Sequence, residues 1–229
     1  MNRLLVGRVL SLGLLVVLVV LALSACGGGE NEAKARPLPE DPQALQPGEY
    51  RSEEFEPSLS FRVGKGWTNA PPETSELLHI HWEQKGGIGF IRFQEVYKPT
   101  RTGTANVVDA PKDMVGWLQQ HPYLQTSKPE PVTVGGVKGV QFDVVLGDLP
   151  QTYNGTCSSI VGTPNCVDLF RLSTGETIFV ADGEKVRVIV LEDIEGETVT
   201  IGFVSRASEF GEFAPEAQKV LDSVEWRGS

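Results

Sequence analysis

The sequence predicts an α+β domain, a mainly antiparallel β-sheet packed by two or more α-helices. Three observations predict it. Apolar and polar residues alternate over many short runs, the period of two expected of strands with one covered face. Turn residues, such as Asp182-Gly183 and Ile194-Glu195-Gly196-Glu197, separate successive runs closely enough for hairpins. Helical spacing stands out in two stretches.

Taken in order, Leu59, Phe61 and Val63 alternate with Ser60 and Arg62, and Leu78, Ile80 and Trp82 alternate with His79, His81 and Glu83. Ile91 and Phe93 suggest the next strand, and Val137 to Leu146 a long one interrupted at Gly139. Shorter strands are expected at Phe170 to Leu172 and Ile178 to Ala181. Around Val186, Val188 and Val190 the intervening Ile189 is also apolar, so that strand is expected to be covered on both faces. Val199, Ile201 and Phe203 form its successor. One helix is predicted over Pro111 to His121, with Met114, Trp117, Leu118 and His121 on one stripe and Pro122 ending it. The other is predicted over Pro215 to Ser223, with Pro215 near its first position.

The N-terminus has a different character. Arg3 and Arg8 precede an apolar run from Val9 to Leu23, a charged region and short apolar core of the kind found in secretory leaders. The run is shorter than the ~20 apolar residues that a spanning helix needs. It ends in Leu23-Ser24-Ala25-Cys26. This tetrapeptide resembles the lipobox of bacterial lipoproteins. The resemblance implies that residues 1–25 are a signal peptide and that the Cys26 thiol receives a diacylglyceryl group. It places the chain on the extracytoplasmic face of a cell membrane, with the membrane as its partner through Cys26. Residues 26–48 then read as the anchor and a flexible tether, opening with three glycines and containing four prolines. Residues 49–229 read as a single domain.

Two of the 20 basic residues and none of the 30 acidic ones precede Cys26, so the remaining chain carries 18 against 30, a net −12. That balance argues against nucleic acid as a partner. The two later cysteines, Cys157 and Cys166, read as a disulfide in an extracytoplasmic chain. On the chain-entropy account it would contribute about 2–3 kcal/mol.

A second resemblance covers much of the domain. Pro57-Ser58-Leu59-Ser60-Phe61 with Gly66-Trp67, the stretch from Val132 to Gly139, and the closing run from Ala217 to Val224 resemble segments of Mog1/PsbP-like domains. The resemblance implies an α/β/α sandwich and a role in binding or assembly. Residues 150–168, with the cysteine pair, fall outside its pattern and read as an inserted loop.

Candidate chemistry is sparse. On a strand, His79, His81 and Glu83 would share a face and offer N, N and O donors to zinc or copper. His121 sits at a helix end, where it could cap carbonyls. The glycines from Gly135 to Gly139 lack the spacing of a dinucleotide or phosphate loop. No nucleophile elbow appears, no catalytic motif is found, and nothing calls for a cofactor. The sequence therefore points to a non-enzymatic binding or interaction domain. Its partner is a protein or a small apolar ligand, the latter in a groove lined by Trp117, Leu118 and Phe213. Metal binding through His79 and His81 is the third possibility.

Overall fold

The computed structural model describes residues 35–70, 72–103, 106–159 and 165–227. The leader, Cys26 and residues 27–34 lie outside the described residues. In chain order the elements begin with β1 (Arg36–Pro37), β2 (Gly48–Arg51), β3 (Leu59–Val63), β4 (Trp67–Asn69), β5 (Leu77–Trp82) and β6 (Gly86–Ile91). There follow β7 (Glu95–Tyr97), β8 (Val107–Asp109), helix α1 (Met114–Gln119), β9 (Leu124–Thr126), β10 (Glu130–Val134) and β11 (Val137–Leu146). A 3-10 turn at Thr156–Ser159 leads to β12 (Cys166–Arg171), β13 (Thr177–Ala181), β14 (Glu184–Ile194), β15 (Glu197–Arg206), helix α2 (Phe210–Leu221) and β16 (Glu225–Trp226).

The central sheet runs β10-β11-β14-β15-β6-β5-β4, with β9 added beside β11. Every pairing in it is antiparallel. Two of its hairpins turn on adjacent residues with positive φ, Gly135-Gly136 and Glu195-Gly196. Both turns sit directly between paired residues, Val134 with Val137 and Ile194 with Glu197. This is the turn geometry that matches the right-handed twist of its strands. Gly139 does not interrupt β11, which is continuous from Val137 to Leu146.

Each face of the central sheet has its own cover. One face presents Ile80, Phe90, Ile201 and Phe203 to α2 and to the small sheet β1-β2-β3-β16. From α2, Phe213, Ala217, Val220 and Leu221 are buried there. The indole of Trp226 closes the end of this core, donating Nε1–H to the Val134 carbonyl at 3.1 Å. The opposite face presents Phe142, Val144, Val186, Val188 and Val190 to β12, β13 and α1. Strand β14 is thus covered on both faces from Val188 to Leu191, as its unbroken apolar run predicts.

Three expectations need correction. The domain is mostly antiparallel sheet, with two helices among the described residues. The second face is covered by another sheet, β13-β12-β7-β8, and by the six residues of α1, so it is not a helical layer. Val167 and Leu169 supply apolar cover from β12, which starts at Cys166, inside the stretch 150–168 expected to be an inserted loop. Helix α2 starts at Phe210, and Pro215 lies inside it. Phe210 and Phe213 recur at helical spacing and are both buried, which extends the helix back by more than a turn. The backbone bond that Pro215 forgoes faces Gly211, an exposed residue, where water can satisfy the free carbonyl.

The third correction concerns the tether. From Ala35 onward the segment is packed. Arg36 pairs with Tyr50 in the parallel β1–β2 ladder, and its guanidinium lies 4.4 Å from the Tyr50 ring centre. Leu38 N–H donates to the Arg51 carbonyl, and Leu45 N–H to the Trp67 carbonyl. The Asn69 side chain donates to the Pro39 and Asp41 carbonyls and accepts from Gln43 N–H. The compact unit therefore begins near residue 35 and not at residue 49. Leu38 and Leu45 follow no strand or helix period, because the segment runs along strand edges as an irregular strap. Leu45 is 4 % exposed, so Leu45→Ala is expected to cost about 2–4 kcal/mol of stability. A urea-denaturation comparison with the unsubstituted protein checks this; a flexible tether would give no change.

Candidate functional site

The second face of the central sheet holds an unusual set of residues. In β5 the alternation sends Leu78, Ile80 and Trp82 to the α2 side and leaves Leu77, His79 and His81 for the other. Across the ladder, His79 pairs with Gly89, Gly89 with Gly202, and Gly202 with Val188. The adjoining row runs His81, Gly87, Val204, Val186. On the opposite side the row is Leu77, Ile91, Thr200, Val190.

The glycines serve two purposes. A Cβ on Gly89 would lie 2.8 Å from His79 Nε2, and one on Gly87 would lie 2.7 Å from His81 Nδ1. Both imidazoles therefore rest on backbone that carries no side chain. Gly202 is different. Its added Cβ would meet one atom within 4 Å, Val186 Cγ1 at 3.9 Å. The space above it belongs to a cavity of about 270 Å³, roofed by Leu169, Phe170, Ile178 and Val180. A glycine inside a strand often marks a close approach of something else.

The cavity walls are largely apolar, with a few polar groups. Thr200 is 2 % exposed, and its hydroxyl has no hydrogen-bond partner among the described residues. Glu184 and Val204 line both this cavity and a larger open groove of about 760 Å³ that includes His81, Lys85 and Arg206. The cavity thus adjoins a polar vestibule at Glu184.

Burial sets the charge state here. It lowers the pKa of His79 to about 4, with a further push from His81. It lowers that of His81 as well. Both rings are neutral at pH 7, each offering one N–H and one lone pair. Burial raises the Glu184 carboxyl, opposed by the N–H of Ala181, which donates to Oε2 at 3.0 Å.

The roof is held at its margin by the Cys157–Cys166 disulfide. Asp168 is buried and accepts from the backbone N–H and the hydroxyl of Thr156. The Phe93 and Phe170 rings stack at 4.0 Å.

The residues singled out in the sequence are brought together only in part. His79 and His81 share a face, with ring centres 6.1 Å apart. Glu83 does not continue their row, because it has left the strand with a φ of 47°. Its carboxylate lies 3.8 Å from Lys85 Nζ. Among the described residues no group of three or more His, Cys, Asp or Glu side chains is placed to hold a metal ion. His121 caps no carbonyl through its ring. Its Nδ1 accepts from Tyr123 N–H at 3.3 Å, and its Nε2 is buried without a partner among the described residues. The groove expected between Trp117, Leu118 and Phe213 does not form, since Phe213 belongs to the core on the other face of the sheet. Sequence reasoning missed Gly89, Gly202 and Thr200. The signal was present as glycines in strands, at Gly86-Gly87-Ile88-Gly89 and Ile201-Gly202-Phe203.

No family model matches the chain, and no curated protein does. Among solved structures, the chain is similar to the solution structure of cyanobacterial PsbP (CyanoP) from Synechocystis sp. PCC 6803. The identity is 9 %, over 80 % of this chain and 94 % of that one, with a TM-score of 0.40. At that level the likeness assigns neither a family nor an activity.

The histidines make stability depend on pH. His121 has an ordinary pKa of 6.5 when unfolded and about 4 in the folded protein. Its contribution is complete above pH 6.5 and is lost as pH falls toward 4, where the unfolded chain takes the proton first. His121→Gln is expected to remove on the order of 2 kcal/mol from the stability difference between pH 7 and pH 4. Denaturation of wild type and variant at both values, compared as a difference, isolates this group from the carboxylates. An unchanged difference would show that His121 titrates normally.

Proposed function

We propose that this protein is an envelope lipoprotein, anchored through Cys26, whose domain binds a small, mainly apolar ligand without transforming it. The ligand lies between the central sheet and the β12–β13 roof. The observation that carries this reading is the cavity over Gly202. A volume near 270 Å³ is roughly nine times the ~30 Å³ share of a liquid water and falls at the small end of ligand sites. Water held against such walls makes few hydrogen bonds, so an apolar ligand displaces it favourably, by about 25 cal/mol per Å² buried. Neutral His79 and the unpartnered Thr200 hydroxyl are available to orient a ligand that carries one polar group.

Gly202 supplies the test. Its backbone is extended and its Cβ position is open, so Gly202→Val fits without strain and takes up part of the cavity over the sheet. Valine also favours strands over glycine, by up to about 1 kcal/mol. The variant is expected to denature at equal or higher urea concentration than wild type while binding 1-octanol more weakly. Chemical-shift titration measures the second effect. Undiminished octanol binding in the variant would remove the cavity as the site.

The anchor has its own test. In a bacterial host, Cys26→Ala is expected to abolish incorporation of labelled palmitate and to shift the protein out of the membrane fraction. Undiminished membrane partition of the variant would refute the anchor and leave the cavity reading intact.

A further inference from the structure

Resting on the cavity as a binding site, we propose that its ligand class is cationic: an apolar body ending in an amine, with the ammonium held by Glu184. The side chains lining the cavity include two carboxylates, Glu176 and Glu184, and neither lysine nor arginine. Glu176 is exposed, whereas Glu184 is part-buried at the junction of cavity and vestibule. Only one Glu184 oxygen is engaged. Oε2 accepts from Ala181 N–H, and Oε1 has no hydrogen-bond partner among the described residues.

Two of the three cations nearby are paired with other carboxylates. Lys85 is paired with Glu212 and Glu83. Lys185, next to Glu184 in sequence, points to the other face and meets Asp143 at 2.7 Å. Arg206 is the cross-strand neighbour of Glu184, but it is exposed and forms no ion pair with it among the described residues. A carboxylate beside apolar walls is costly to ionise without a countercharge. An ammonium arriving with the ligand supplies that charge and donates to Oε1, the stronger kind of hydrogen bond. The alkyl or aromatic body then lies over Gly202, between Val188 and Val204 below and Ile178 and Val180 above. An anionic amphiphile meets two carboxylates and a chain of net charge −10.

Three probes of equal chain length separate the possibilities: octylamine, 1-octanol and octanoate, titrated calorimetrically into the full-length protein at pH 7. Octylamine is expected to bind at least about tenfold more tightly than octanoate, a difference of roughly 1.4 kcal/mol or more, with octanol between them. Glu184→Gln should abolish the amine preference, bringing octylamine to the affinity that 1-octanol has for the same variant. Glutamine keeps an acceptor for Ala181 N–H, so the hairpin is preserved. Glu192→Gln, an exposed site outside the cavity lining, makes the same change in net charge and should leave the preference intact. If octanol binds but octylamine gains nothing, or if Glu184→Gln leaves the amine preference unchanged, the amine assignment is overturned and the apolar cavity stands. If none of the three binds the wild-type protein, both readings fall together.

Discussion

The pairing of β14 with β15 is the constraint on which the rest of the structure depends. These are the two long central strands of the eight-stranded sheet, joined by the turn at Glu195-Gly196. From Val188 to Leu191 four successive side chains are buried, so β14 cannot leave either face to water. Two independent covers must therefore be built. One is made by α2 with the first three strands and β16, the other by the outer sheet and α1. The N-terminal strap belongs to the first cover, which is why Leu38 and Leu45 are buried although their sequence context is rich in proline.

The second cover does not fit closely everywhere, and the misfit has a local cause. Valines pack β11 and β14 tightly against β12 and β13. One and two strands further along, the same row carries Gly202 and Gly89. His79 lies down over Gly89, but no side chain fills the space above Gly202. A strand glycine at this depth lowers strand propensity and leaves apolar walls without partners, both of which reduce stability. A departure from good packing of this size is where function is expected to reside.

The strands with alternating side chains could be read from the sequence because the alternation is itself the cause of the fold. The β14–β15 hairpin, the long β11 and the two-sided burial of β14 all followed from it. Strand β6 was harder to read, since three of its six residues are glycine and show no alternation. The strap escaped because its fixing contacts are backbone hydrogen bonds and the Asn69 amide, which no hydrophobic period reports. His79 and His81 could be placed on one face from spacing alone. What spacing could not supply was the identity of that face: it looks polar along β5, yet it is roofed by residues 90 to 100 positions downstream, such as Leu169 and Ile178. The departure of Glu83 from the row depends on a positive φ in the turn, a feature of the hairpin that side-chain pattern does not encode.

The roof shares its core with β11 and β14 and is stiffened along one margin by links within its own chain segment. Its attachment at one margin is covalent, through Cys157 and Cys166, and the same margin is reinforced by the Asp168 carboxylate gripping Thr156. Burial raises the pKa of Asp168, and the two Thr156 bonds work against that rise, so the carboxylate is retained for its geometry in a place where burial opposes its charge. These bonds act along the β12 margin, between residues 156 and 168, and leave the space over Gly202 unfilled. The arrangement separates two requirements that a single packed core could not meet together: a sheet buried on both faces, and an accessible volume against one of them.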